Sequence, residues 1–210
     1  MRREHGADAV DEKVSPTSRR TQARIIEAVV DSVATHGLSG TTLATVARGA
    51  GVAQGVLVFH FKTKEGLLTE TLRRLSEEYR AAWEPALAEE DPLDQILALV
   101  KADFAPAVCS RRKLALWFAF WGEAGAQPLF SAICEAAEET RYRAMIGACE
   151  ALRARYGTPD PTLLASAIDA MTDGLWLQLH IYGRRLSRTV ARDMALGHLR
   201  LLLPSLAGRI

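Results

Sequence analysis

Apolar residues recur with a helical period through nearly the whole chain, and this constrains the fold more than any other feature. After Arg19 they fall at Ile26, Val29, Val30 and Val33, which is the i, i+3, i+4, i+7 stripe of an amphipathic helix. Similar stripes continue to the C-terminal end and are separated by prolines and glycines. With 49% hydrophobic residues in 210, the chain can build a sizeable core. The pattern predicts an all-α protein.

Near the N-terminal end, two short helices are predicted on either side of a glycine turn. Gly37 is expected to end the first long helix, and Thr42 is placed to cap the next stripe. Gly51 follows that stripe at once, and a second short helix is expected from about residue 53 to residue 60. Such a pair is a helix-turn-helix, whose second helix enters the major groove of DNA.

The first residues of that second helix are Ala53, Gln54 and Gly55, where base edges would be read. A glutamine can form two hydrogen bonds with adenine, and a small apolar group can contact a thymine methyl. Gly55 would let the backbone approach the duplex. Leu57 and Phe61 are expected to face a three-helix core.

Backbone contacts are expected from the end of the same helix and from the turn after it. These residues are Val58, Phe59, His60, Lys62 and Lys64. The segment from Lys13 to Lys64 carries seven Lys or Arg and two acids, although the net charge of the chain is only +1. A basic end on a nearly neutral protein suggests a polyanionic partner.

The stretch "TTLATVARGAGVAQGVLVFHFKTKEGLL", Thr41 to Leu68, resembles the DNA-binding domain of the TetR family of transcriptional repressors. The resemblance implies operator contacts from the threonine cap, the start of the recognition helix, the residues around the histidine and the second lysine. Here these are Thr42, Ala53, Gln54, Gly55, Val58, Phe59, His60 and Lys64. Many relatives have a tyrosine at the position of Val58 or Phe59. Neither residue has a hydroxyl, so van der Waals contact with sugar or thymine methyl is expected instead of a bond to phosphate.

Two later stretches resemble the C-terminal domain of BetI-type repressors, which are choline-responsive. They are "LWFAFWGEAGAQPLF", Leu116 to Phe130, and "DGLWLQLHIYG", Asp173 to Gly183. This resemblance implies a domain that binds a small effector and forms dimers.

The aromatic residues in these stretches have two interpretations. Trp117 and Trp121 share a helix face, and Phe118 and Trp176 are expected nearby. The rings could simply fill the core of a helical bundle. They could instead line an effector pocket, either for a choline-like cation held against ring faces or for a neutral lipophilic or aromatic compound. Asp173 could balance the charge of a cation or lie in a dimer interface.

The expected organisation is a flexible tail at residues 1–17, a helix-turn-helix domain at 18–65 and a sensing and dimerisation domain at 66–210. Apolar stripes from Leu163 to Leu179 and from Val190 to Leu203 are expected to pair with a second chain. The expected function is that of a cytoplasmic homodimeric regulator, a repressor that releases a palindromic operator when a small effector binds.

Two other function classes are alternatives: an architectural DNA-binding protein that senses nothing, and a helical-bundle enzyme. No Gly-x-Ser-x-Gly elbow occurs in the chain. Cys109, Cys134 and Cys149 fit no zinc spacing, so neither a metal nor a cofactor is predicted. The apolar runs are shorter than the roughly 18 residues of a membrane span, and no membrane association is expected.

Overall fold

The structure is a computed structural model that describes residues 16–210. The predicted flexible tail therefore lies outside the described residues as far as position 15. Pro16 and Thr17, which the sequence placed in that tail, already belong to the first helix, α1.

The N-terminal unit consists of three helices and the start of a fourth. They are α1 (Pro16–Gly40), α2 (Leu43–Ala50), α3 (Gln54–Phe61) and α4 (Lys64–Trp83). Gly37 breaks the regular geometry of α1 with φ 69° and ψ 177°, as predicted for a helix-ending glycine. A further turn reaches Gly40, and the Thr41 hydroxyl closes it by donating to the Gly37 carbonyl at 2.8 Å.

Side-chain caps fix two of the helix starts that follow, the first of them predicted at Thr42. The Thr42 hydroxyl accepts from the Thr45 amide at 3.1 Å, and the Thr45 hydroxyl accepts from the Thr42 amide at 2.9 Å. This is a capping box, in which two amides that the helix leaves free are satisfied reciprocally. The hydroxyl of Thr63 likewise accepts from the Gly66 amide at 2.9 Å. Gly51 ends α2 in the left-handed region at φ 63°, which only glycine adopts at little cost.

The rest of the chain is a bundle of five longer helices. They are α5 (Pro92–Asp103), α6 (Arg111–Ala124), α7 (Pro128–Tyr156), α8 (Pro161–Tyr182) and α9 (Arg188–Leu202). Short 3-10 helices follow α4 at Glu84–Ala88 and α9 at Pro204–Arg209. Prolines open α5, α7 and α8 because the first helical position needs no amide proton. No strand occurs within residues 16–210, and the all-α prediction is confirmed.

The two units share one hydrophobic core, which runs from Ile25 to Leu206. The boundary predicted between residues 65 and 66 falls in the first turn of α4, a helix that belongs to both units. A second connection lies between α6 and α1. Arg112 pairs with Asp31 at 2.7 Å and with Glu27 at 3.1 Å. The N-terminal unit is therefore attached to the bundle through two helices, α4 and α6.

Across residues 16–210, no helix is both long and apolar enough to cross a membrane. The three cysteines are free and buried. Burial raises the pKa of the Cys109 and Cys149 thiols to about 12, so these thiols are not activated nucleophiles.

Candidate DNA interface and effector pocket

Helix α3 has one buried face and one exposed face. Leu57 and Phe61 are 0% and 7% exposed and pack in the core, as predicted. On the opposite face Val58 is 43% and Phe59 72% exposed. The Phe59 ring contacts its neighbours His60 and Lys62 but is mostly open to solvent, and with Val58 it forms an exposed apolar surface of the kind that marks an interaction site.

The N-terminal end of α3 is open to a partner as well. Ala53, Gln54 and Gly55 are all exposed. A Cβ atom added to Gly55 would meet nothing within 4 Å, so packing within the chain does not require a glycine there. Thr42 is also exposed, and its hydroxyl is engaged in the capping box of α2.

The basic residues at the C-terminal end of α3 and in the turn after it differ in how exposed they are. Lys62 is exposed, and its ammonium donates to the Phe59 carbonyl at 3.1 Å and lies 5.7 Å from the centre of the Phe59 ring. His60 is half-buried, with its Nδ1 3.4 Å from Nε2 of Gln22 on α1. Lys62 thus stays on the exposed apolar surface, whereas His60 lies in the α1–α3 interface.

Lys64, also predicted to contact DNA, is engaged within the chain. Its ammonium donates to the carbonyl of Leu38 at 2.7 Å and lies 3.5 Å from that of Ser39. Carbonyls at the end of a helix attract a cation because they are free and carry the negative end of the helix dipole. In this conformation Lys64 caps α1, and its charge is not directed to solvent as a phosphate contact would require.

In the bundle, four aromatic rings from three helices form one cluster, here called the aromatic box. It consists of Tyr79 on α4, Trp117 and Trp121 on α6, and Trp176 on α8. The Trp117 and Trp121 rings lie 5.9 Å apart, and those of Trp121 and Trp176 lie 6.4 Å apart with their planes only 20° from parallel. Tyr79 contacts Trp117 edge-on at 6.1 Å and Trp176 at 5.7 Å.

Phe118 lies beside the aromatic box, and its predicted part in the effector site stays a prediction. Its ring stacks on His180 at 4.9 Å and touches the edge of Trp121 at 5.1 Å. One residue along a helix turns the side chain by about 100°, so Phe118 points away from the face that carries Trp117. Tyr79 takes the fourth place in the box. The sequence analysis missed it, although it continues the apolar stripe of α4.

Beneath the rings lies a buried ion pair that the sequence analysis also missed. Asp103 and Arg141 are 1% and 3% exposed. The Asp103 carboxylate accepts from Arg141 Nη2 and from the Tyr79 hydroxyl, both at 2.9 Å, and its backbone carbonyl accepts from Trp176 Nε1 at 2.9 Å. Burial and the neighbouring Asp103 carboxylate raise the pKa of Tyr79 well above its ordinary value, so the phenol remains a donor. Asp103 lies in the last turn of α5, where a negative charge is unfavourable because it opposes the helix dipole. An acid at such a position was the signal in the sequence that could have pointed to a special role for Asp103.

Three further carboxylates surround this ion pair: Glu138 on α7, and Asp169 and Asp173 on α8. Burial and repulsion by Asp173 and Asp169 raise the pKa of Glu138 to about 7. Burial, together with the negative charges of the cluster, raises the pKa of Asp169 to about 6. The pKa of Asp173 is also raised to about 6, by partial burial of its carboxylate and by repulsion from Asp103, although the residue is exposed at the surface. The nearby Arg141 is already bonded to Asp103, and its Nη1 lies 3.9 Å from Asp169. The carboxylates outnumber the cations, so the field beside the aromatic box is negative.

On the outer surface of the bundle, α8 and α9 expose large apolar side chains. They include Leu163, Leu177, Ile181, Val190, Met194 and Leu201. A Cβ atom added to Gly174, on α8, would meet nothing within 4 Å, which leaves room for close approach by another helix.

Comparison with known proteins places both units in one family. Residues 25–71 match the model of bacterial regulatory proteins of the TetR family, and residues 92–204 match the model of the C-terminal domain of BetI-type transcriptional repressors. An HTH-type transcriptional regulator BetI from Burkholderia lata is 30% identical over 186 residues, which is 88% of this chain and 94% of that protein. The BetI of Stenotrophomonas maltophilia is 27% identical over 188 residues, covering 89% and 93%.

Solved structures support the same fold. A putative transcriptional regulator from Pseudomonas aeruginosa PAO1 has a TM-score of 0.75 at 23% identity, covering 94% of this chain and 96% of that one. A putative regulator from Saccharomonospora viridis, solved in complex with choline, has a TM-score of 0.74 at 20% identity, covering 84% and 94%.

These matches decide between the function classes that the sequence left open. The matched families and relatives are DNA-binding transcriptional regulators, so the enzyme and architectural alternatives are wrong. Regulators of this kind bind operator DNA and typically act as dimers that respond to small molecules. This chain belongs to the TetR family of transcriptional regulators and carries a BetI-type C-terminal domain.

Proposed function

We propose that this regulator is a homodimeric repressor that acts in the cytoplasm and releases a palindromic operator when a choline-like cation binds at the aromatic box. The observation that carries the proposal is the pairing of four aromatic rings with a surplus of carboxylates. The faces of tryptophan and tyrosine rings attract quaternary ammonium groups, by up to about 2 kcal/mol once water is excluded.

The charges favour a cation over a neutral effector. A neutral lipophilic compound would gain the same contact with the rings but would add no counter-charge for Glu138, Asp169 and Asp173, which share only Arg141 with Asp103. A bound cation relieves their mutual repulsion, which is what raises their pKa values beyond the effect of burial. The choline complex of the Saccharomonospora viridis regulator supports the same choice.

On the DNA side, the proposed base-reading residues are Ala53, Gln54 and Gly55, and the proposed backbone contacts come from Thr42, His60 and Lys62. Val58 and Phe59 supply apolar contact with sugars or thymine methyls in the place of a tyrosine hydroxyl. Lys64 can join these contacts only by leaving the Leu38 carbonyl.

We propose that the exposed apolar residues of α8 and α9 pair with the same residues of a second chain. Burying Leu177, Ile181 and Val190, which are 44%, 58% and 51% exposed, would remove them from water around a two-fold axis. A two-fold dimer presents two recognition helices related by the symmetry of a palindromic operator.

Helix α6 supplies the proposed coupling between effector and DNA. It carries Trp117 and Trp121 of the aromatic box, and its first turn holds α1 through Arg112. A cation that draws the α6 rings toward Trp176 would shift α1 and with it the position of α3. The effector can act in this way only if it binds the released state more tightly than the DNA-bound state.

The test compares choline with 3,3-dimethylbutan-1-ol, a neutral molecule of the same shape in which carbon replaces nitrogen. Calorimetry measures binding, and release of a selected operator duplex measures function. We expect choline to bind more tightly and to release DNA, and Trp121→Ala to abolish both effects. Phe120→Ala, which removes a ring of the same helix that packs on Phe130, is the matched control and should retain them. Equal or tighter binding of the neutral alcohol would contradict the cation proposal.

A further inference from the structure

Three arginines form a surface cleft of about 400 Å³ where α6 begins and α8 ends. Arg111 from the first turn of α6 and Arg184 and Arg185 from the α8–α9 loop line it, beside Ile181 and Tyr182. It is here called the arginine cleft. Gly183 shapes the loop, because a Cβ atom there would lie 2.7 Å from the Leu179 carbonyl and 3.4 Å from Arg111 Nε.

The charge of the arginine cleft is not balanced by the protein. Among residues 16–210, no carboxylate lies within 4.0 Å of the guanidinium groups of Arg111, Arg184 or Arg185, whereas the adjacent Arg112 holds two. The C-terminal end of α8 supplies negative dipole, but a helix end is equivalent to only about half an elementary charge. Three positive charges this close together repel one another, and an anion from outside the chain would reduce that repulsion.

The position of the arginine cleft indicates which anion. Arg111 is adjacent to Arg112, which forms an ion pair with Asp31 on α1. The cleft therefore lies on the side of the bundle that carries the DNA-binding unit. Ile181 and Tyr182, exposed at 58% and 53%, continue from it into the apolar surface of α8. In the dimer proposed above, the two clefts would therefore lie beside the two-fold axis and on the DNA side.

We propose that the arginine cleft is a second DNA contact, which binds phosphates of the central operator segment between the two half-sites. This inference rests on the proposed dimer and operator. Guanidinium groups suit phosphate oxygens because they offer several donors in a planar fork. The contact would add affinity without reading bases, since the central phosphates carry no direct sequence information.

The test measures the salt dependence of DNA binding by the full-length protein. The probe is an operator duplex selected from a random library with the wild-type protein. Each phosphate contact contributes about 0.9 to the slope of log affinity against log salt. The double variant Arg184→Ala/Arg185→Ala removes two arginines from each chain of a dimer, and we expect the slope to fall by roughly two to four units.

The matched control is Arg143→Ala/Arg153→Ala, which removes the same charge from exposed positions on α7. It should leave the slope within one unit of wild type, and circular dichroism and sedimentation should show both variants folded and dimeric. A duplex with methylphosphonates in its central segment should weaken wild-type binding but not binding by the cleft variant.

The proposed contact would be overturned if the two double variants had the same salt slope. It would also be overturned if the modified duplex weakened binding by the wild type and by the cleft variant to the same extent. That result leaves the proposed function intact if the wild type still binds its selected palindrome. Failure of the wild type to select any sequence would instead overturn both.

Discussion

Acidification should weaken choline binding, and the structure sets the size of the effect. Glu138, Asp169 and Asp173 have pKa values raised to about 7, about 6 and about 6. Each is ionised at pH 8 and mainly protonated at pH 5.5. Protonation removes the negative charge that favours the cation, so affinity must fall as the pH falls through these pKa values.

The size of the decrease depends on which carboxylates face the cation. If the cation needs one ionised aspartate of pKa about 6, affinity falls about 4-fold between pH 8 and pH 5.5. If it needs Glu138 ionised, the fall over the same range is about 30-fold. A requirement for both aspartates gives roughly 17-fold.

Calorimetry with choline at half-unit steps of pH provides the measurement, and proton uptake or release is read from two buffers with different ionisation enthalpies. Asp173→Asn, Asp169→Asn and Glu138→Gln are titrated in the same way. The variant that loses affinity at pH 8 and also flattens the pH profile marks the residue beside the ammonium group. The neutral 3,3-dimethylbutan-1-ol is the control, and its affinity should not fall on acidification.

A choline affinity that stays constant from pH 8 to pH 5.5 would refute this reasoning. It would mean that the carboxylates do not face the bound cation.

Three further predictions concern the core, the DNA and the dimer. Asp103→Asn should lower the free energy of unfolding by about 3 kcal/mol, measured by urea denaturation, because it leaves the buried Arg141 without its partner; a loss below about 1 kcal/mol would contradict the buried pair. Gln54→Ala should cost about 1–3 kcal/mol on the selected operator and relax preference at one base pair per half-site, whereas an equal loss on random duplexes would show that Gln54 does not read bases. Leu177→Glu should yield monomers in sedimentation at micromolar concentration, while Leu129→Glu, on α7 and exposed to a similar degree, should remain dimeric.

The features that the sequence predicted are local ones. The cap at Thr42 and the turn at Gly51 depend on residues within three or four positions, and both are present as expected. The two faces of α3 follow from helical periodicity alone, which put Leu57 and Phe61 inside.

The features that the sequence did not predict depend on distant segments. Lys64 looked free because its acceptor, the carbonyl of Leu38, comes 26 positions earlier and is brought to it only by the tertiary fold. Tyr79 looked like one more core residue of α4, since only packing shows that it closes the aromatic box. Asp103 and Arg141 are 38 positions apart, and no local pattern links them.

Arg141 connects the two interpretations of the aromatic residues. The rings do fill the core, since Trp117 and Trp176 are 1% and 4% exposed. Yet a cluster needed only for packing would not require a buried ion pair beside it, and apolar residues in place of such a pair are often as stable or more stable. The pair holds Tyr79 in position through Asp103 and leaves Asp169 without a full partner. The same ion pair therefore orients one ring of the box and keeps negative charge available beside it, which is the arrangement that a choline-like effector requires.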